Sequence, residues 1–539
     1  MPTRRSCPSC GPPEVDTDTA PSLQDTYDFI VCGGGTSGCV VARRLADRDS
    51  IRVLLLEAGG DERIEAVRKA QIWMSNLGGP RDWQFEAEPG PGLCGRRAAL
   101  PMGKVLGGGS SVNGMIWARG HKNDFDDWAE QTGDAGWRYS SVLDLYRRIE
   151  DWDGPADPLR RGTGGPLSVT LPRDPIPLVA ALREATAAAG IAPTDDLNGV
   201  AMEESGNCGI PNVTLSVEGE RVSTASAYLR PVMSNPHLTV LLHAHVRRLL
   251  LDGRRVVGVE FTHEGRLCSA RAACEVVLSL GAINTPKVLM LSGIGDQAQL
   301  QRHGILCVQH LPGVGRNFQD HILVAGCVWE YRTPEIPRNN SAEFTFFCKS
   351  DPTLPTPDLQ PVLEECAFGS EVTRPRFELP VDPSLAWTLA PGLVRPQSRG
   401  HLELTGSQPE DRVAIHANFL SEPQDVRALL TAVELCRHIG NAAPLKPFAR
   451  RELMPGPLGR PALERWLREA AGTYFHQTCT AKMGRDALSV VDGSLRVYGI
   501  ERLRIADGSV MPNITTGNTM APCVMIGERA ADLLLEARS

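Results

Sequence analysis

An apolar run over Tyr27-Asp28-Phe29-Ile30-Val31 has the length and composition of a buried strand. It leads into Gly33-Gly34-Gly35-Thr36-Ser37-Gly38, and helical periodicity then continues through Leu45. A second run, Ile51-Arg52-Val53-Leu54-Leu55-Leu56, ends at Glu57 and predicts the next strand. Strand, glycine turn, helix and strand in that order predict a Rossmann-like α/β unit. Residues 85–165 lose the rhythm, are rich in Gly, Arg and Asp, and read as excursions over a scaffold. Alternation returns within 236–310, in LTVLLHAHVRRLLL, RVVGVEF and CEVVLSLGA. Residues 325–395 are rich in Pro and Phe with weak periodicity, as a substrate-side insertion would be. Strands and helices follow over 396–480, and glycine-punctuated strand and helix over 497–536. No repeat of fixed period accompanies this return, so the pattern predicts domains interleaved in sequence.

Length changes that picture little. At about 150 residues per domain, 539 residues allow three to four domain equivalents, whereas the re-entrant pattern is satisfied by two with long excursions. The chain is 42% hydrophobic and 22% charged, which excludes collagen-like, coiled-coil and largely disordered classes. A net charge of −8 without a basic run gives no footprint for nucleic acid. No apolar stretch reaches the length of a membrane span. Residues 1–24 read as a polar, Pro-rich tail whose arginines are not followed by an apolar run, so no secretory signal is expected. The 15 cysteines are odd in number and scattered, which predicts free thiols and a cytoplasmic setting. Cys7 and Cys10 form a CxxC in the tail, but no second ligand pair follows and Gly11-Pro12-Pro13 does. No metal site is expected.

The chemistry begins at Gly33-x-Gly35-x-x-Gly38, which follows a strand and opens a helix. The first glycine permits the tight turn, the second lets a pyrophosphate approach the backbone, and the third lets helix and strand pack closely. The helix N-terminus then presents its positive end to the phosphates. Glu57, at the end of the second strand, is placed to accept ribose hydroxyls and would repel a 2′-phosphate, which disfavours NADP. FAD and NAD are not separated by this fingerprint. The segment Gly103-Lys104-Val105-Leu106-Gly107-Gly108-Gly109-Ser110-Ser111-Val112-Asn113-Gly114 is too glycine-dense for core packing and reads as backbone wrapped against a large planar or phosphorylated ligand.

Together these segments resemble the glucose–methanol–choline (GMC) oxidoreductases. The likeness is carried by DFIVCGGGTSGCVVARRLA with LLLEAGG, GKVLGGGSSVNGMIWARGH, GAINTPKVLMLSGIG, LPGVGRNFQDH, TYFHQTCTAKMG and LRIADGSVMPNITTGNTMAPCVMIGERAADLL, in the family's order from residue 27 to 534. It implies FAD in a Rossmann-like domain, interleaved with an α+β substrate-binding domain built on an antiparallel sheet. The FAD-binding domain then comprises 25–170, 236–324 and 481–539, and the substrate-binding parts are 171–235 and 325–480. By the resemblance Gly33, Gly35, Thr36, Ser37, Gly38, Glu57 and Ala58 hold the ADP half, and Val246 meets the adenine through its backbone. Val105, Asn113, Gly114, Met115 and Ile116 run beside the flavin, and Asp507, Gly508, Asn518 and Thr519 close the other side. Some members attach FAD through a histidine just before the Asn113 position; Val112 stands there, so non-covalent FAD is expected.

His476 occupies the family's catalytic-base segment, and Asn518 stands where relatives carry His or Asn. An alcohol becomes a hydride donor once its hydroxyl proton leaves, and a neutral imidazole can take that proton. A carboxamide can donate a hydrogen bond to the developing alkoxide. The resemblance thus implies oxidation of a primary alcohol or aldehyde hydrate, with hydride passing to flavin N5 and electrons on to O2 or another acceptor. Cys479 stands where many relatives have glycine and is expected to fill space. The likeness runs nearest to the choline-oxidising branch, and Trp73 matches a tryptophan of its cation cage. Leu323, Ala342 and Phe475 replace the cage glutamate, second tryptophan and tyrosine, so choline is disfavoured. Phe344, Phe346, Phe347 and Phe475 are candidate substrate contacts. A homodimer is compatible with the sequence. A hydroxynitrile lyase or a light-driven decarboxylase on the same scaffold is the alternative.

Overall fold

The computed structural model describes residues 26–538, so Cys7 and Cys10 lie outside the described residues. The strand Thr26–Cys32 pairs in parallel with Val53–Leu56 on one side and with Arg266–Leu278 on the other. Leu238–Leu241 extends the sheet in parallel beyond Val53–Leu56, and Leu503–Ile505 pairs in parallel with the end of Arg266–Leu278. The central strands are apolar without alternation because both faces are covered: Ile30, Val31, Val53, Leu54, Leu55 and Leu56 have no exposed surface. Arg266–Leu278 does two jobs. Its first half pairs with the antiparallel hairpin Ala244–Asp252/Arg255–His263, and its second half enters the parallel core.

The helix Thr36–Ala46 packs against the C-terminal helix Met520–Glu536. Gly527 allows that close crossing, since a Cβ there would meet the Ser37 carbonyl at 2.9 Å. Residues 122–149, expected as surface excursion, instead form two helices, Lys122–Thr132 and Tyr139–Ile149. Phe125, Trp128, Ala129 and Thr132 recur at helical spacing and are buried, and the first three join the main core with Trp137, Val142, Tyr146 and Ile149. A few large aromatic residues carried that helix signal, which the polar composition obscured.

A second sheet of six strands is antiparallel throughout. Its order runs Ala449–Met454, Val328–Tyr331, Ala386–Ala390, Val362–Glu364, Thr345–Phe346 and Cys208–Gly209. The helices Leu178–Ala188 and Pro423–Gly440 pack on it. Phe344 and Phe346, expected to touch substrate, belong to the core of this domain and have no exposed surface. They share one face of their strand, and that face packs into the core and not onto the cavity. Val362 and Glu364 line the cavity, and Leu363 between them is buried in the core.

Candidate active site

A cavity of about 1910 Å3, including its mouth to solvent, runs between the two sheets. At one end lie Ala244, His245, Val246 and Arg247; at the other lie Phe475, His476 and Asn518.

Glycines, among them Gly33, Gly35, Gly108 and Gly109, open part of the wall between them to the backbone. Gly33 has φ +98°, and a Cβ there would stand 2.3 Å from the Ser279 carbonyl, so both the turn and the packing demand glycine. Gly38 faces the strand, where a Cβ would sit 1.9 Å from the Gly33 carbonyl. Gly35 and Gly109 differ: their Cβ positions have no neighbour closer than 3.8 and 3.9 Å, so they border open space. Gly35 is also the N-cap of Thr36–Ala46 with no side chain capping the helix, which leaves amide hydrogens for an anion. Thr36, Ser37, Gly108, Val112, Asn113, Gly114, Ile116, Gly508 and Thr519 complete this groove. The residues present therefore fit a dinucleotide whose pyrophosphate rests on the glycine turn.

Glu57 and Ala58 line the groove, and the Glu57 carboxyl accepts from the amides of Gly34 and Gly59 at 2.9 and 2.7 Å. Burial pushes this carboxyl up to about 7, while those amides favour its charged form. Asp507 also lines the groove, but its side chain clamps the structure. It accepts from Gly281 N, Thr285 Oγ1 and Ser509 N at 2.9, 2.6 and 2.8 Å. Asn113 is fixed through its Oδ1 by Arg221 Nη1 at 2.7 Å and the Met115 amide at 3.0 Å. Val105 and Met115, expected beside the flavin, are buried behind the groove and do not line it. Met115 packs instead with Trp73, Val213 and Leu215.

At the other end His476 Nε2 faces Asn518 Nδ2 at 3.3 Å, and Gln360 Nε2 donates to Asn518 Oδ1 at 3.0 Å. His476 Nδ1 lies 2.9 Å from His321 Nδ1. This chain assigns the protons. Gln360 donates to the Asn518 oxygen, so the Asn518 nitrogen faces His476, whose Nε2 accepts. His476 Nδ1–H then donates to His321, fixing the imidazole tautomer with the basic Nε2, which accepts from Asn518, at the cavity wall. Burial lowers His476 to about 3 and drives His321 well below its ordinary value, so both rings are neutral. Loss of the base by protonation therefore begins only as pH falls toward about 3. Flavin reduction by a neutral alcohol is expected to stay level between about pH 8 and 5. A rate profile falling with a midpoint near about 6.5 would contradict the neutral, buried base.

Asp320 holds the backbone of the base. It accepts from the His476 amide at 2.9 Å, Thr473 Oγ1 at 2.5 Å and Gln477 Nε2 at 3.1 Å. Asp320→Ala would strand the His476 amide and the Thr473 hydroxyl and leave Gln477 Nε2 only its bond to Thr473 Oγ1 at 3.0 Å. It is expected to cost about 3 kcal/mol or more in chemical denaturation, with Asp320→Asn recovering part of the loss. Equal stability of Asp320→Ala and the parent would show that these bonds do not hold the loop.

Asp320, His321, Gln360 and Glu364 were not singled out by the sequence reading. Val362 and Glu364 lie two positions apart in DLQPVLEE, on the cavity face of a strand, and a carboxyl at that alternation could have flagged Glu364. Trp73 and Phe475 line the cavity with Leu323 and Ala342, whereas Phe347 does not line it. Cys479 is buried outside the cavity lining with φ +73°, a left-handed conformation that suits glycine better than cysteine. Away from the cavity, His401, Glu403 and His416 bring potential metal-ligand atoms within 4.8 Å of one another. Arg316 competes there for the Glu403 carboxylate at 3.9 Å.

A glycine-floored dinucleotide groove that ends on a neutral imidazole and a carboxamide defines the class, a dinucleotide-dependent oxidoreductase. Family models described as GMC oxidoreductase match residues 27–323 and 396–527. The chain is 35% identical to mouse (Mus musculus) mitochondrial choline dehydrogenase over 98% of its own length and 92% of that protein. It is likewise 35% identical to oxygen-dependent choline dehydrogenase of Stenotrophomonas maltophilia (strain R551-3), covering 95% of each. Among solved structures it is similar to pyridoxine 4-oxidase from Mesorbium loti, with TM-score 0.89 and 31% identity, covering 94% of this chain and 98% of that one. The chain belongs to the GMC oxidoreductase family, and it is an FAD-dependent oxidoreductase acting on CH–OH donors.

Proposed function

We propose that the protein oxidises a primary alcohol or aldehyde hydrate at the His476–Asn518 pair, with FAD bound non-covalently. The observation that carries this reading is the 3.3 Å approach of Asn518 Nδ2 to a neutral His476 Nε2 at the cavity wall. A substrate hydroxyl entering there gives its proton to His476 Nε2, and Asn518 Nδ2 donates to the oxygen left behind. His321 keeps the tautomer, Gln360 keeps the carboxamide turned, and burial keeps water from competing for the alkoxide. FAD, when bound, supplies the acceptor for the hydride that leaves the alcohol carbon.

Val112 lines the groove where a covalent histidine would stand and offers no nucleophile, which supports reversible binding. Leu323 and Ala342 in the cavity wall argue against choline, although Trp73 is retained with its indole donating to the Asn340 carbonyl at 3.1 Å. The relatives are dehydrogenases and oxidases, which supports oxidation over the lyase and decarboxylase alternatives. All thirteen cysteines among the described residues are free, which supports a cytoplasmic setting. No helix among the described residues is long and apolar enough to cross a membrane.

The test is aldehyde formation from primary alcohols with O2 and, separately, a quinone or dye as acceptor. Aldehyde in step with acceptor consumption is expected, and the better acceptor identifies the enzyme as oxidase or dehydrogenase. Acid precipitation should leave the flavin in solution. No aldehyde from any alcohol with any acceptor would overturn the reading, and flavin retained in the pellet would overturn non-covalent binding.

A further inference from the structure

Among the described residues, Glu364 is the one cavity-lining carboxyl with an oxygen left unsatisfied. It projects from the strand Val362–Glu364 on the same face as Val362, and both line the substrate end of the cavity. Only 7% of the residue is exposed, and its Oε2 has no hydrogen-bond partner. Glu57 and Asp507, the other cavity-lining carboxyls, each accept from backbone amides. Around Glu364 the wall is apolar and aromatic: Ile116, Leu323, Ala342, Tyr474 and Phe475. A buried carboxyl without a partner is costly, and such groups cluster where a ligand completes them.

The position of Glu364 relates it to the base. The Tyr474 ring stacks on His476 with centroids 5.0 Å apart and packs in one cluster with Val362, which shares the cavity face with Glu364. We propose that Glu364 binds a protonated nitrogen on the substrate, so that the preferred alcohols are amino alcohols or basic N-heteroaromatic alcohols bearing an N–H donor. This rests on the alcohol-oxidase reading of the same cavity.

Burial raises Glu364 to about 8, so near neutral pH the empty site holds a protonated carboxyl, and a cation binds its charged form with release of that proton to solvent. The cavity wall favours a cationic donor over a neutral one. Trp73, Tyr474 and Phe475 offer aromatic faces, which attract a cation. A quaternary ammonium would meet those faces but give the Glu364 oxygens no hydrogen, so the N–H requirement separates this preference from choline.

The experiment uses the oxidised holoenzyme and its Glu364→Gln variant. Benzylammonium is titrated anaerobically, and binding is read from the perturbed flavin absorbance. Separately, kcat/KM is measured for 3-(aminomethyl)benzyl alcohol against 3-methylbenzyl alcohol. Benzylammonium should bind E364Q at least about tenfold more weakly, and the preference for the amine-bearing alcohol should shrink by at least about tenfold. Equal benzylammonium affinity in parent and E364Q would overturn the assignment, whatever the turnover. If both alcohols are oxidised with no preference in the parent enzyme, alcohol oxidation stands and the role of Glu364 falls. If neither is oxidised while binding still depends on Glu364, the subsite stands and the alcohol reading fails.

Discussion

His476→Ala is expected to slow flavin reduction by about 10²–10⁴-fold while leaving FAD bound. The side chain reaches the cavity only at its alcohol end, far from the glycine turn that cradles the pyrophosphate, so its loss should not empty the cofactor groove. The alanine variant keeps Asn518 and the Asp320-anchored loop, since Asp320 holds residue 476 by its backbone amide. What disappears is the acceptor for the hydroxyl proton. The test is stopped-flow reduction of the bound flavin by saturating alcohol without oxygen. Parent-like rates in the variant would remove His476 as the base.

Gly38→Ala should be the most damaging change at the cofactor end. The added methyl would stand 1.9 Å from the Gly33 carbonyl, a backbone atom in a strand-to-helix turn with no flexible end to move aside. The helix Thr36–Ala46 must then lift from the sheet, which separates its amide hydrogens from the phosphate position. Overpacking of this kind costs about 1–3 kcal/mol or more. Purified Gly38→Ala is therefore expected to contain little flavin and to unfold at lower denaturant concentration. Gly35→Ala tests a different point, because its Cβ has open space until a ligand arrives. It should fold normally and lose FAD selectively. Full flavin occupancy in Gly38→Ala would show that the turn does not need close packing.

The cofactor end was the most legible in sequence because its requirements are local. Gly33, Gly35 and Gly38 all lie within one strand–turn–helix, and their spacing states its geometry: Gly33 makes the turn, Gly35 opens the helix and Gly38 packs on the Gly33 carbonyl. The base and its partner were readable only through the family resemblance, since His476 and Asn518 come together from distant segments and nothing in their own surroundings sets them apart. The support around them was not read at all. His321 meets His476 across 155 positions, and Gln360 meets Asn518 across 158. Such pairs are made by strand order, which periodicity alone does not supply. The same limit explains Phe344 and Phe346: alternation shows that they share a face, but only the six-stranded sheet and its helices show that this face is core.

The central claim is that His476 and Asn518 activate an alcohol beside bound FAD. Anaerobic mixing of the purified yellow protein with a panel of primary alcohols, followed at the visible flavin band, tests it most directly. The expected result is bleaching by at least one alcohol, lost in His476→Ala and accompanied by one aldehyde per flavin reduced. A flavin that stays oxidised with every alcohol, or that bleaches equally fast without His476, would contradict it.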